Sequence, residues 1–204
     1  FKRTSRKSCS PSIILLMNNS PQEYLAFANK LADAAGITSM EYFRTSLSID
    51  SKSDESPVTI ADQNTELKIR SMIEKEYPNH GILGEEFESV NPDAEFIWVI
   101  DPIDGTRSYI AGHKDFGNLI SLTQNKKPII GIINCPAHDE RWVGVRNQNS
   151  TVNQKIVKTS NVTEIEDAYI FTSGLYFDEP QLRNAVDKIK NKVRYFRYGG
   201  DCYM

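Results

Sequence analysis

The amino-acid sequence predicts a mixed α/β protein, and three features of it lead there. Apolar residues recur at helical spacing in segments near both ends, and short apolar or alternating runs bounded by turn formers lie between them. Clusters of acids stand where those runs finish. Of the 204 residues, 24 are Lys or Arg and 27 are Asp or Glu. That near balance argues against a nucleic-acid binder or an anionic-membrane binder. A content of 39% hydrophobic and 25% charged residues is that of a globular chain rather than a disordered one. The longest apolar run, Ile13-Ile14-Leu15-Leu16-Met17, is too short to span a bilayer.

The first helix is announced by Ser20-Pro21-Gln22-Glu23, an N-cap serine, a proline at the first helical position and a glutamate that completes a capping box. Tyr24, Ala28, Leu31 and Ala35 fall on one face, and Gly36 is expected to end the run. Residues 48–56 are polar and rich in turn formers. A second helix is expected over about 62–76 with Thr65, Ile69, Met72 and Ile73 inward, stopped by Tyr77-Pro78-Asn79. Strands follow at 81–83 and at 96–100, the latter apolar enough to be buried on both faces. Residues 119–123 and 128–133 read as a hairpin, and 141–145 and 168–172 as further strands. Asp178-Glu179-Pro180 opens a last helix with Leu182, Ala185, Val186, Ile189 and Val193 inward.

The two ends read differently from the middle. Residues 1–17 are basic and serine-rich, with no acid before Glu23. They suit either a targeting presequence or sequence upstream of a start at Met17, and the second reading is taken here. Residues 1–17 are then an extension, and 18–204 a domain whose last residues, Asp201-Cys202-Tyr203-Met204, look cut. Cytoplasmic localisation is expected, with organelle import if the presequence is genuine. Cys9, Cys135 and Cys202 form no CxxC pair, so reduced thiols are expected rather than a disulfide framework or a zinc ribbon. His80, His113 and His138 have no metal-ligand spacing. Any metal would therefore be held by oxygen, which means magnesium, manganese or calcium.

The chemistry concentrates in three acidic clusters. Asp62 closes Pro57-Val58-Thr59-Ile60-Ala61-Asp62, Gly84-Glu85-Glu86 follows an apolar strand, and Asp101-Pro102-Ile103-Asp104-Gly105-Thr106 follows the most apolar one. Two carboxylates three residues apart across a stiff proline can converge on one hard cation or bridge two. Gly105-Thr106 permits close backbone approach and, at a helix start, offers N–H groups to a phosphate. Cation plus anion cradle is what hydrolysis of a phosphate ester needs. Singly, each piece reads as a helix cap or a turn; their combination points to the site.

In these stretches the chain resembles the magnesium-dependent, lithium-sensitive inositol monophosphatase family. The residues that carry the resemblance are Trp98-Val99-Ile100-Asp101-Pro102-Ile103-Asp104-Gly105-Thr106, Gly84-Glu85-Glu86, and Pro57-Val58-Thr59 with Ala61-Asp62. Arg107-Ser108-Tyr109-Ile110-Ala111-Gly112 and Gly199-Gly200-Asp201-Cys202-Tyr203 look like the histidinol-phosphatase branch. The resemblance implies helix and sheet layers in alternation, and residues 18–204 as an incomplete domain of that type. It implies two or three Mg2+ ions, with Mn2+ as a substitute. Glu85, Asp101 and the Ile103 carbonyl would hold the first ion, Asp101 and Asp104 the second, with Asp62 near a third. Glu85 and Thr106 would orient an attacking water, and the Gly105 and Thr106 N–H groups would take the phosphate. Lys52 and Asp54 would lie in a mobile loop over the site. The family's further aspartate, some 30 residues beyond Asp201, lies past the last residue here. A homodimer is also implied.

The implied reaction is hydrolysis of a small phosphomonoester, L-histidinol phosphate first and an inositol or other sugar phosphate as the alternative. Two other readings stay open. Haloacid-dehalogenase phosphatases also pair aspartates before Gly-Thr, but at a spacing of two and with a nucleophilic first aspartate. The chain could also be a non-catalytic remnant that holds a metal or a partner. Lys52 suits a solvated loop and His113 a surface position, Trp142 suits packing, and Cys202 suits a buried small residue. Asp201 suits either a turn cap or a partner for a substrate amine.

Overall fold

The structure is a computed structural model that describes residues 20–45, 49–51, 57–174 and 179–199. The extension 1–17 and the expected site residues Lys52, Asp54 and Asp201 lie outside the described residues. Helix α1 (Pro21–Tyr42) starts on the capping box read from the sequence: Glu23 N–H donates to Ser20 Oγ, and Glu23 Oε2 accepts from Ser20 N–H at 2.7 Å. It does not end at Gly36. A Cβ there would stand 2.9 Å from Asn134 Nδ2 and 3.4 Å from Pro136 Cβ, so the glycine serves close packing, and the buried stripe continues to Ser39.

Strands β1 (Ile49–Ser51) and β2 (Pro57–Thr59) pair antiparallel, β1 lying in the stretch 48–56 that reads as turn formers. Helix α2 (Ile60–Glu76) follows directly, which puts Asp62 in its first turn instead of at its opening. Thr65, Ile69 and Ile73 are buried as expected, and Met72 is half-buried against the same core.

The main sheet has seven strands in sequence order: β3 (Gly81–Leu83), β4 (Phe96–Asp104), β5 (Gly117–Gln124), β6 (Lys127–Cys135), β7 (Glu140–Val145), β8 (Thr151–Val152) and β9 (Lys155–Ile156). β3 and β4 are parallel, and every later pair is antiparallel. The β5–β6 hairpin closes through Asn125 and Lys126, both at positive φ as a tight two-residue turn needs. Asn153 and Gln154 do the same between β8 and β9. A further two-stranded sheet pairs β10 (Tyr169–Thr172) with β11 (Tyr195–Tyr198) in parallel, with helix α4 (Pro180–Lys190) between them in the chain.

The core lies on one face of the main sheet. Trp98, Ile100, Ile120, Leu122, Ile130 and Ile132 pack against Ala28, Leu31, Ala32, Ala35, Ile69 and Ile73 of α1 and α2. This corrects three expectations. β4 is fully buried on that face only, because Ile97 and Val99 alternate onto the opposite face and are half-exposed. That opposite face, with Val99, Leu119, Ile133 and Trp142, borders an open concavity of about 590 Å³, and Trp142 is exposed instead of packed. The apolar stripe of α4 is likewise uncovered: Leu182 and Ile189 are exposed, and no residue of the helix is buried. Layering is present, with helices on a mixed sheet, and no helix among the described residues is long and apolar enough to cross a membrane.

At one end of the core, His80 is stacked among Tyr77, Phe96 and Trp98 and accepts a hydrogen bond from Trp98 Nε1 at 3.1 Å. Burial pushes its pKa down to about 4, although Glu95 nearby acts the other way. The unfolded chain takes this proton near pH 6.5 and the folded one only near pH 4. This stabilising contribution is therefore complete above pH 6.5 and is lost as pH falls toward 4. Thermal melts across that interval should show the decline, and His80→Gln should flatten it; an equal decline in the variant would contradict this assignment.

Candidate active site

The three acidic stretches meet at one end of β4. The β4–β5 ladder runs to Asp101↔Leu119, breaks, and resumes at Asp104↔Gly117, so Asp101 and Asp104 belong to the strand and do not follow it. Pro102, which has no N–H for the ladder, sits in that break. Its carbonyl accepts from Asn118 Nδ2 at 2.7 Å. Ile103 is fully buried in a second core cluster with Ala61, Tyr109 and Phe116. The side chain thereby anchors the segment between the two acids. The Ile103 carbonyl accepts from Thr106 Oγ1 at 2.9 Å. Because that hydroxyl donates inward, its lone pairs are left to accept from a water. Gly105 turns the chain at φ 82°, a conformation open to glycine, into the short helix α3 (Thr106–Ile110).

A buried polar network supports the break. Asn118 Nδ2 also donates to Ser39 Oγ at 3.3 Å, and Asn118 Oδ1 accepts from Asn134 Nδ2 at 2.9 Å. Asn134 Oδ1 accepts from Arg141 Nε at 3.0 Å, and Arg141 pairs with Asp33 of α1 at 2.7 Å. Tyr109, held protonated by burial, donates to the Ser39 carbonyl at 2.6 Å. Satisfying every member is what makes such a network rigid.

Asp62 is 2% exposed on α2, whereas Glu85 is exposed in the loop after β3. Both are near enough to disturb Asp101. The Asp101 carboxyl is pushed up to about 8, first by burial, then by the charges of Glu85 and Asp104, by a hydrogen bond with Glu85, and by Asp62. Two carboxyls can share a hydrogen bond only if one keeps a proton. Asp101 Oδ1, moreover, is buried with no hydrogen-bond partner. Among the described residues no three His, Cys, Asp or Glu side chains already stand in ligating positions. The cluster is therefore assembled but not closed, and the neighbouring charges that move Asp101 are all carboxylates. An oxygen-only donor set with an orphaned carboxylate oxygen fits a hard divalent cation.

Of the residues expected at the site, Asp62, Glu85, Asp101, Ile103, Asp104, Gly105 and Thr106 are brought together. His113 is exposed, as a surface histidine should be, and the buried Cys135 forms no disulfide among the described residues. Sequence reasoning missed Glu66, Arg70, Asn118 and Asn134. A signal existed for each. Asn118 shares the inward phase of β5 with Ile120 and Leu122, Asn134 that of β6 with Ile130 and Ile132, and Glu66 and Arg70 lie one turn apart on the buried side of α2.

A layered α/β protein with an acidic, cation-seeking centre at the end of its sheet is the class defined by these features. The family model described as the inositol monophosphatase family matches residues 20–203, and the chain belongs to that family. It is 37% identical over 198 residues to the bifunctional phosphatase IMPL2, chloroplastic, of Arabidopsis thaliana, covering 92% of this chain and 57% of that protein. It is also 37% identical over 181 residues to the histidinol-phosphatase of Chlorobaculum parvum, covering 88% of this chain and 70% of that one. The solved structure of an inositol monophosphatase from Zymomonas mobilis superposes with a TM-score of 0.79 at 40% identity, over 91% of this chain and 72% of that one.

Without a cation, stability should fall as pH rises, because the folded state holds the Asp101 proton up to about pH 8 and the unfolded chain releases it near 3.8. Magnesium should therefore raise the melting temperature more at pH 8 than at pH 6, and Asp101→Asn should remove both effects. A magnesium shift that is independent of pH and survives in Asp101→Asn would contradict the assignment.

Proposed function

We propose that this chain carries the catalytic centre of a magnesium-dependent phosphomonoester hydrolase acting on L-histidinol phosphate. The observation behind the cation part is Asp101, half-buried with a buried and orphaned Oδ1 among three other acids. Glu85, Asp101 and the Ile103 carbonyl would hold one Mg2+, Asp101 and Asp104 a second, with Asp62 beside a third. Such ions, when bound, lower the pKa of a water and stabilise negative charge on phosphate oxygens.

The residues then divide the work. Thr106, its own proton committed to the Ile103 carbonyl, accepts from the attacking water, and Glu85 accepts the water's other hydrogen. The Gly105 turn presents the Gly105 and Thr106 N–H groups to the phosphate. The water oxygen bonds to phosphorus as the bond to the alcohol oxygen breaks in line; one of the water's protons stays on the phosphate and the other ends on the departing alcohol oxygen. Lys52 and Asp54 would close over the substrate, and Asp201 would pair with its amine.

The choice of ester rests on Arg107 to Gly112 and Gly199 to Tyr203, and on the 37% identity to a protein named histidinol-phosphatase. A second reading, an inositol phosphate, is favoured by the 40% identity to the Zymomonas mobilis protein.

Phosphate release should be measured from L-histidinol phosphate and inositol 1-phosphate, with and without magnesium, beside Asp104→Asn. Preference for histidinol phosphate, abolished without magnesium and reduced at least about 100-fold in the variant, is expected. Preference for the inositol ester would discard the substrate and keep the chemistry. A phosphorylated Asp101 would overturn the mechanism, and silence on both esters would favour a non-catalytic, metal-holding chain.

A further inference from the structure

We infer that Glu66 is a positioning residue: its buried carboxylate clamps the backbone of the Gly84-Glu85-Glu86 loop and so holds Glu85 against the other acids of the site. This rests on the cation-binding reading above. Glu66 is fully buried, yet neither of its oxygens is available to a cation. Oε2 accepts from Glu85 N–H at 3.0 Å and from Glu86 N–H at 2.8 Å. Oε1 accepts from Arg70 Nε at 2.7 Å, and Arg70 reaches on to donate to the Phe87 carbonyl at 2.9 Å. Three successive backbone units, at residues 85, 86 and 87, are thus tied to one turn of α2.

The approach is so close that only glycine fits before the loop. A Cβ on Gly84 would stand 2.0 Å from Glu66 Oε1 and 2.8 Å from Arg70 Nη2. Glycine in the Gly-Glu-Glu motif accordingly makes room for the clamp. The clamp also answers an electrostatic problem. Glu85 is exposed, and beside the hydrogen bond it shares with Asp101 the two like charges repel, which works to swing the loop outward. Neutral backbone N–H groups bonded to a carboxylate already neutralised by Arg70 hold it in place without adding net charge to the cluster. Since α2 also carries Asp62, one helix sets the positions of two acids of the site.

Magnesium affinity measured by calorimetry, together with amide hydrogen exchange at Glu85 and Glu86, tests this. In the unaltered protein both amides should exchange slowly, as clamped groups do; fast exchange there would overturn the inference without any variant. Glu66→Leu should release both amides and weaken magnesium binding about 10- to 100-fold. Glu66→Gln combined with Arg70→Leu keeps an amide oxygen for the two N–H groups and removes the donor that would oppose its NH2, so it should recover most of that affinity. Ile73→Ala, in the apolar core one turn past Arg70 and making none of the clamp's hydrogen bonds, should lower the melting temperature and leave affinity unchanged. Affinity retained in Glu66→Leu, or lost equally in Ile73→Ala, would overturn the positioning role. If the unaltered protein takes up no magnesium, the function reading fails first and this inference with it; if it does and Glu66→Leu binds as well, only this inference fails.

Discussion

Like charges crowded at the end of one strand set the terms for the rest of this structure. Asp101 is partly buried and feels Glu85, Asp104 and Asp62, and its carboxyl responds by holding a proton to about pH 8. A fold that gathers four acids in one corner works against its own stability there. The arrangement persists because neutral parts of the scaffold hold each acid from behind. Ile103 is buried between Asp101 and Asp104, Asp62 is fixed in the first turn of α2, and Glu85 hangs from a loop bonded to Glu66. The side chains of the four acids therefore converge on one place, while the side chains and backbone behind them do the holding.

The same division extends outward. The break in β4 leaves the Pro102 carbonyl off the ladder, and Asn118 takes it up. Asn118 leads to Asn134, then to Arg141 and to Asp33 on α1, so the strand break and the first helix share one hydrogen-bonded chain. A buried polar group left without its partner costs about 1–3 kcal/mol, which is large against the few kcal/mol by which a domain is stable. Apolar packing of α1 and α2 on β4, β5 and β6 supplies the mass of the core, and the polar chain fixes how the acidic end of the sheet is shaped.

Local patterns in the sequence were a good guide wherever the deciding interaction was also local. The capping box at Ser20, the β5–β6 hairpin and the Asp101–Thr106 stretch were all legible, and so was the family. Expectations failed where a partner distant in sequence decided the outcome. Gly36 reads as a helix stop until Asn134 and Pro136 are seen against it. The β4 run looks doubly buried because composition does not say which face will be covered, and the stripe of α4 looks inward for the same reason. Glu66 was the most instructive omission. An i, i+4 acid–base pair is normally a solvated surface feature, and only the tertiary position of Gly84 turns it into part of the site.

Burial and the neighbouring acids keep a proton on Asp101, and a divalent cation bound in this corner should displace it. Calorimetric titration with magnesium in two buffers of different ionisation enthalpy, near pH 7, counts the protons set free on binding. Release of about one proton per chain, disappearing above about pH 9, is the predicted result. Binding with no proton released at pH 7 would mean that Asp101 is already ionised, and would contradict the account.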